Sequence, residues 1–328
     1  MTGATAANNP ENNMAAWVYD EGMAQGSRAR QEDDYGVFEL PPELEAGDLL
    51  LVLADGMGGE QAGGRASALA VRSFVESYDM LPVATIPERL QHTLMCVNRQ
   101  MAADVESDPN GLRGMGCTLL AVVLTEEGLY WLSVGDSPLW LWRRGQLHRL
   151  NQDHAYRSIL AEQVSHGEIS AAEAACHPDR NALISAVTGA ELELVDLPRK
   201  AYQLQDSDQI LLASDGLFTL DEKEIAAILS RASNEGQPVA QLLAAVAERR
   251  LAQQDNVTVL WVRSAAFRPI HAWWRRFGRL QISLAAGMLA GLLAIGGAWW
   301  WLRHDSAPPT EVGIMSAAPG PARSRPAN

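Results

Sequence analysis

Short apolar runs and longer amphipathic stretches alternate along residues 16–262. The run DLLLVLA at 48–54 is apolar at nearly every position and ends at a glycine-rich turn, 55–59, which is typical of a buried strand. Segments 62–78 and 86–106 instead repeat apolar residues at helical spacing, and Pro87 suits a first helical turn. The pattern predicts strands at 48–54, 117–124, 129–134, 139–142, 146–150, 192–196, 209–213 and 257–262, and helices at 62–78, 86–106, 221–231 and 239–251.

The four predicted strands between 117 and 150 follow one another with very short connections. Glu127-Gly128 and Arg144-Gly145 stand in two of these connections, and both pairs suit hairpin turns. Consecutive hairpins predict antiparallel pairing rather than a doubly wound parallel sheet. We therefore expect one α+β domain in which helices cover an antiparallel sheet. Residues 155–180, polar and alanine-rich, predict an insert of short helices, and residues 1–14 predict a disordered tail.

The segment Leu280 to Leu302 differs in kind, because Gln281 and Ser283 are the two polar side chains among its 23 residues. At ~1.5 Å rise per residue it is long enough to cross a bilayer. Five of the chain's ten tryptophans mark its two ends, at 273 and 274 before it and at 299, 300 and 301 in its last turn, as expected at membrane interfaces. A buried core helix is the alternative interpretation of the length, but it does not explain these flanks.

Arginines are concentrated on one side of this predicted transmembrane helix. Four of them lie in the juxtamembrane segment 264–279, whereas Arg303 alone directly follows the apolar stretch. The positive-inside rule then predicts a single-pass protein of a bacterial inner membrane, with residues 1–262 cytoplasmic and the Pro/Ala-rich tail 303–328 outside and disordered. Gly287 and Gly291 have the spacing of a homodimer face, but glycine is common in membrane helices, so this support is weak.

The net charge of −14 hides a strong asymmetry along the chain. Residues 263–328 contain eight arginines against Asp305 and Glu311, a net +6, so residues 1–262 carry −20. An acidic body repels nucleic-acid backbones and argues against a DNA- or RNA-binding protein. Such a surface serves either solubility or cation binding, and composition alone does not separate the two.

The three cysteines, Cys96, Cys117 and Cys176, are isolated in the sequence. They form no CxxC pair, which argues against a disulfide scaffold or a zinc site and is typical of a reducing compartment. The first residues have neither a basic start nor an apolar run, so no signal peptide is predicted.

Four aspartate-centred motifs mark the candidate chemistry. Asp33 ends the motif RARQED at 28–33, and the other three motifs stand at the ends of predicted strands: Asp55 after the strand 48–54, Asp215 after 209–213 and Asp255 before 257–262. A rigid scaffold aims such side chains into one cleft, and clustered carboxylates suit hard cations such as Mg²⁺ and Mn²⁺. Each Asp-Gly taken alone is more often a simple turn.

The order of the motifs is more specific than any one of them. GSRARQED (26–33), ADGMGG (54–59), GCTLLAVVL (116–124), VGDSP (134–138), NQDH (151–154), SDG (214–216) and DN (255–256) follow in sequence. This series resembles the PPM (type 2C) family of metal-dependent Ser/Thr protein phosphatases, and is most similar to bacterial members, which favour DGMGG. The resemblance spans the soluble part of the chain and implies a phosphatase domain at 15–263 with a flap-like insert at 155–180.

The resemblance implies a four-layer α-β-β-α sandwich of two antiparallel sheets flanked by helices, to which the apolar stretch at 280–302 adds one C-terminal transmembrane helix. It also implies two Mn²⁺ or Mg²⁺ ions, a looser third one, phosphorylated proteins as substrates and a Ser/Thr kinase as counterpart. Water activated by two metals would attack phosphorus in line, without a covalent enzyme intermediate. The implied roles are Asp55 as bridging ligand, the Gly56 carbonyl, Asp215 and Asp255 as further ligands, Glu32 and Asp33 as direct or water-mediated ligands, Asp136 with Asp215 at the third ion, and Arg28 as the phosphate-binding residue.

The sequence also departs from the family pattern. Gln31 replaces a common Asn, Pro138 replaces the usual Arg after GDS, and SAVTG at 185–189 lacks an Arg found in the family. Met57 stands where some members have a His proposed as general acid, and methionine cannot donate a proton. Since a lone histidine is usually structural, neither His154 nor His177 is assigned this role.

Two alternatives to an active protein phosphatase stay open at this point. One is a membrane-bound pseudophosphatase that binds phosphoproteins, which the retained carboxylates disfavour. The other is a two-metal hydrolase of nucleotides or small phosphoesters, which would not need the whole motif order.

Overall fold

The computed structural model describes residues 17–44, 46–58, 62–80, 85–235 and 237–264. Ten strands and six α-helices lie in these ranges. The strands are β1 (Trp17–Ala24), β2 (Asp33–Glu39), β3 (Leu49–Met57), β4 (Gly116–Cys117), β5 (Leu119–Thr125), β6 (Gly128–Val134), β7 (Leu139–Arg143), β8 (Gln146–Arg149), β9 (Gln209–Ala213) and β10 (Val257–Ser264). The helices are α1 (Ala62–Met80), α2 (Ile86–Ser107), α3 (Tyr156–Ser165), α4 (Ala171–Cys176), α5 (Glu222–Glu235) and α6 (Pro238–Glu248), and short 3-10 helices occupy Pro42–Leu44 and Asp215–Thr219.

Two antiparallel sheets form the centre of the domain. One has the strand order β1-β10-β9-β7-β8, and the other has the order β2-β3-β5-β6, with β4 paired to β3. The hairpins β5–β6 and β7–β8 are antiparallel as the sequence predicts. The short connection from β6 to β7 leads from one sheet into the other, so it is not a third hairpin.

Period-two alternation along the strands produces three apolar layers. Leu50, Val52 and Ala54 of β3 pack with α1 and α2 residues such as Phe74. Leu49, Leu51 and Leu53, on the other face of the same strand, pack against the sheet β1-β10-β9-β7-β8, for example on Leu212. The third layer lies between the sheet β1-β10-β9-β7-β8 and the helices α5 and α6. Its members include Leu211, Trp261, Leu229 and Leu242. The order helix, sheet, sheet, helix is the predicted four-layer sandwich.

Two strand predictions differ from the structure. Residues 192–196 form no strand; Asp196 alone exchanges backbone hydrogen bonds of 2.9 Å with Ser133 of β6. Leu194 and Val195 are exposed there, so the apolar spacing that suggested a strand does not reflect burial. The predicted strand 117–124 is interrupted at Thr118, whose side-chain Oγ1 accepts a hydrogen bond from Asp55 N at 3.0 Å.

The predicted transmembrane helix at 280–302, its flanks and the tails 1–14 and 303–328 lie outside the described residues. None of the described helices has the length and apolar character needed to cross a bilayer.

Candidate active site and metal centre

Most of the predicted site residues meet at one end of the two sheets. Asp33 opens β2 and stands opposite Asp55 in the β2–β3 register. Asp215 begins the 3-10 helix that follows β9, with Ser214 as the N-cap residue between them. Asp255 lies two residues before β10. A cleft of about 600 Å³ opens at this end, and its lining includes Arg28, Glu32, Asp55, Gly56, Asp136, Asp215 and Asp255. The sandwich therefore gathers motifs that are up to 227 positions apart in the sequence.

Asp55 lies inside a strand and not at the strand end that the sequence predicts. Strand β3 continues to Met57, because Thr118 N donates to Asp55 O at 2.8 Å and Gly56 and Met57 pair with β4. Strand geometry therefore sets the direction of the Asp55 side chain more firmly than a turn would.

Asp33 is held from behind by the other sheet. Its Oδ2 accepts hydrogen bonds from Ser214 Oγ at 2.8 Å and from Thr258 Oγ1 at 2.7 Å. Its residue surface is only 6% exposed, and Oδ1 has no hydrogen-bond partner among the described residues. A buried carboxylate oxygen without a partner is costly. A cation at Oδ1 would remove this cost, so the local structure fits a metal ligand.

Electrostatic repulsion is concentrated at Asp55 and Asp215. Burial, followed by the negative charges of Asp33, Asp215, Asp136 and Asp255, raises the pKa of Asp55 well above its usual range. Burial, followed by Asp136 and Asp255, raises the pKa of Asp215 to about 7. Like charges in one buried site require protons or cations for compensation. An all-oxygen set of this kind fits Mn²⁺ or Mg²⁺.

The carboxylates do not form a closed cage by themselves. Among the described residues, no three His, Cys, Asp or Glu side chains converge as a complete cation site. Two of the cleft carboxylates are instead paired with arginines, Asp255 with Arg28 and Asp136 with Arg157. The β2–β3 register and the cleft lining nevertheless place the carboxylates at one end of the sheets, and a divalent cation would relieve their mutual repulsion. The individual ligand roles of the predicted residues stay predictions.

Arg28 reaches the cleft from the loop between β1 and β2. Its Nη2 donates to Asp255 Oδ2 at 2.6 Å, and the side chains are 55% and 38% exposed. An exposed ion pair of this kind contributes little to stability, so Arg28 can exchange its partner at small cost. A planar guanidinium that is accessible in the cleft fits the predicted binding of two phosphoryl oxygens.

Glu32 and Gly56 are joined through the backbone. Glu32 O accepts hydrogen bonds from Gly56 N at 3.0 Å and from Ser67 Oγ at 2.6 Å. A Cβ at Gly56 would lie 2.1 Å from Gly63 O, at the start of α1. Glycine is therefore required here because the α1 backbone approaches this strand. The Gly56 carbonyl as a metal ligand, which the family resemblance implies, stays a prediction.

Sequence reasoning missed several residues that position the site. Asn256 accepts from Glu32 N at 2.8 Å and donates to the carbonyls of Gln25 and Arg30, so it holds the Arg28 loop. The DN motif pointed to this position, but only its aspartate was assigned a role. Ser214 stands in the SDG motif but was assigned no role, and nothing in local spacing marked Thr258 or Arg157, because each acts on a residue of another segment.

The flap-like insert contains α3 and α4 and begins next to the cleft. The segment after α4 supplies one wall, with Leu183, Ile184 and Ser185. Met57 lines the cleft, and no histidine is among the described residues that do. His154 Nδ1 accepts from Gly135 N at 3.2 Å, and burial lowers its pKa, which supports a structural role for this imidazole.

Comparisons with known proteins agree with this geometry. The family model described as protein phosphatase 2C matches residues 29–255. The serine/threonine phosphatase stp of Listeria innocua is 33% identical over 240 residues, covering 72% of this chain and 90% of that protein. A crystal structure of the PstP catalytic domain in complex with two manganese ions is 30% identical, with a TM-score of 0.58, and the match covers 75% of this chain and 97% of that catalytic-domain chain. The S. agalactiae serine/threonine phosphatase is 26% identical, with a TM-score of 0.65 and coverages of 76% and 100%. The chain thus belongs to the protein phosphatase 2C family and is a serine/threonine phosphatase that uses Mn²⁺ or Mg²⁺.

Proposed function

We propose that this phosphatase removes phosphate from phosphoserine and phosphothreonine of membrane-associated proteins and opposes a bacterial Hanks-type Ser/Thr kinase. The observation that carries the catalytic part is the Asp33–Asp55 pair at the base of the cleft. One oxygen of Asp33 is fixed by two hydroxyl groups and the other has no partner among the described residues. This arrangement holds a carboxylate in one orientation toward a cation.

In this proposal Asp55 would serve both ions, and the Gly56 carbonyl, Asp215 and Asp255 would complete their protein ligands. Glu32 and Asp33 serve the same centre directly or through water. The two ions, when bound, supply a nucleophile from water at neutral pH and neutralise charge on the phosphoryl oxygens. Arg28 binds the phosphoryl group and orients it for in-line attack, after exchanging its bond to Asp255 for two phosphate oxygens.

The cleft contains no histidine among its described lining residues, so the leaving hydroxyl does not receive its proton from an imidazole of the described lining. Asp215 is a proposed metal ligand and would be deprotonated with the ions bound, so in this proposal the proton comes from water. Half-exposure of the Arg28 and Asp255 side chains leaves room for a peptide substrate at the mouth of the cleft.

The catalytic proposal is tested with the full-length chain and a phosphothreonine peptide, with Mn²⁺ or with excess chelator. We expect hydrolysis only with the metal, and much slower turnover of nucleotides and small phosphoesters at equal concentration. Unchanged peptide hydrolysis in chelator would refute the two-metal centre. Binding without hydrolysis would favour the pseudophosphatase, and preferred nucleotide turnover would favour a small-molecule hydrolase.

The membrane part of the proposal depends on the sequence. The apolar stretch from Leu280 to Leu302 and its flanking tryptophans support a single span, and the arginines at 264–279 support a cytoplasmic catalytic domain. Anchoring would raise the effective concentration of the phosphatase toward substrates at the membrane.

A fusion experiment tests this topology. Alkaline phosphatase, which becomes active only after export, is placed after Asn328, and a fluorescent protein is placed before Met1. We expect an active C-terminal fusion, N-terminal fluorescence, and sedimentation with membranes through a high-salt wash. Release by salt, or an inactive C-terminal fusion on a stable protein, would contradict the single-span topology.

A further inference from the structure

The carboxylate of Asp136 is already occupied by a cationic side chain of the protein. Arg157 Nη2 donates to Asp136 Oδ2 at 2.9 Å, and the two side chains are only 18% and 5% exposed. Asp136 lies in the turn between β6 and β7, whereas Arg157 lies in the first turn of α3, at the start of the flap-like insert. The pair therefore connects the insert to the metal-binding cleft.

The Arg157 guanidinium is held on several sides. Its Nε donates to Asp153 Oδ2 at 2.7 Å, and its central carbon lies 5.0 Å from the centre of the Phe218 ring. The Phe218 ring is fixed by an edge-on contact with the buried Trp140. Backbone hydrogen bonding of Arg157 N to Arg180 O, at 2.8 Å, anchors the base of the side chain. These contacts hold the positive charge in one place.

A second arginine and a second aspartate lie beside this pair. Asp153 also accepts from Arg149 Nη1 at 3.1 Å, and Arg149 Nη2 donates to the backbone oxygen of Asp136 at 2.9 Å. Two arginines thus face two aspartates within one group. A divalent cation added at Asp136 would meet the positive charge of Arg157 at contact distance, where the repulsion of partly buried charges is strong.

This ion pair lies at the cleft of the proposed centre. Asp136 and Asp215 both line that cleft, and they are the two residues that the family resemblance assigns to a third, looser ion. Arg157 therefore compensates one carboxylate of this third position without a metal.

We propose that the Arg157 guanidinium is the resident cation of this third position, so that the centre binds two divalent ions and Asp136 is not a metal ligand in the wild-type protein. The proposal rests on the two-metal centre described under the proposed function. It assigns Arg157 as the residue that sets the metal stoichiometry, and it connects the flap-like insert to the centre through a side chain instead of an ion.

The test measures bound Mn²⁺ per full-length chain, by equilibrium dialysis and elemental analysis over a range of free Mn²⁺. We expect two ions for the wild type and for Arg157→Lys, which keeps the charge. Arg157→Met should bind a third ion at least about tenfold more tightly than the wild type does, because the repulsion is removed. Asp136→Asn should leave two ions in the wild-type background and should abolish the third ion in the Arg157→Met background.

Arg143→Met is the matched control. Arg143 forms a similarly buried pair with Asp208, at 2.6 Å, outside the cleft, so its removal tests whether loss of any buried arginine changes metal binding. The control should bind two ions. A third ion in this variant would overturn the specific role of Arg157.

The wild-type protein alone can also decide the proposal, even if Arg157→Met fails to fold. Three ions of comparable affinity in the wild type, reduced to two by Asp136→Asn, would overturn it while leaving the proposed function intact. A wild type that binds no Mn²⁺ would instead refute the two-metal centre, and the inference with it.

Discussion

Asp33 and Asp55 stand directly opposite each other in the β2–β3 ladder, and the negative charge of Asp33 raises the pKa of Asp55. Both residues belong to the sheet that contains β2 and β3. Asp33 also accepts hydrogen bonds from hydroxyl groups of the other sheet, those of Ser214 after β9 and Thr258 in β10. The pair therefore joins the two sheets at the point where the cleft begins. A bound cation would stabilise this contact between sheets as well as supply chemistry.

Asp55→Asn should abolish phosphopeptide hydrolysis and reduce bound Mn²⁺, because one carboxylate is proposed to serve two ions. Asp34→Asn is the control, since Asp34 directly follows Asp33 in β2 and does not line the cleft. Turnover and elemental analysis on the same samples measure both effects. Near-normal turnover and metal content in Asp55→Asn would show that Asp55 has only a structural role.

Arg28→Ala should raise KM for a phosphothreonine peptide more than it lowers kcat, because the half-exposed guanidinium is proposed to act mainly in binding. We expect a change in KM of about tenfold, the size of one charge-assisted contact. Arg30→Ala, in the same loop but not lining the cleft, should change neither constant. An equal loss in kcat with unchanged KM would contradict the binding role.

The metal-free protein should lose thermal stability as the pH rises from about 5 to about 8. The folded-state pKa of Asp215 is about 7, against an ordinary value of 3.8, so the folded state binds more protons in this window. Stability from this group is present at low pH and is lost as the pH rises through the folded pKa. Asp33, Asp55 and Asp136 shift in the same direction.

Thermal melts in chelator and in saturating Mn²⁺ measure this effect. The Tm in chelator should fall by several degrees across the window, and the gain from Mn²⁺ should be larger at pH 8 than at pH 5. Asp215→Asn should flatten the chelator curve. A chelator Tm that rises with pH would contradict the assignment.

Gly56→Ala should lower the free energy of unfolding by about 1–3 kcal/mol and weaken Mn²⁺ binding. The added Cβ would lie 2.1 Å from Gly63 O and 2.5 Å from Glu32 O, so β3, α1 or the Glu32 loop must move. The control position is Gly64 in α1, where the nearest atom to an added Cβ is Gln31 O at 3.2 Å. Gly64→Ala should therefore stay within about 1 kcal/mol of wild type, since alanine also favours the helix. Equal effects in denaturant titrations would argue against the close approach at Gly56.

Much of this protein follows from local periodicity in the sequence. The continuous apolar run at 49–54 supplies both faces of β3, because successive side chains of a strand point to opposite sides. The strand pattern placed Asp55, Asp215 and Asp255 at strand ends, and a sandwich of such strands brings those ends together, although the structure places Asp55 inside β3. The prediction at 192–196 was wrong, because apolar spacing alone does not show which residues become buried.

Only the tertiary structure decided how the site is held. Ser214 and Thr258 reach Asp33 from 181 and 225 positions away, and Arg157 of the insert pairs with Asp136 across the start of the cleft. Periodicity is a property of neighbouring residues, and it carries no information about which distant side chains will share one buried space. Where charges and hydroxyl groups meet inside the sandwich, the cost of burying each group without a partner selects the pairing. That selection takes place only after the layers have packed.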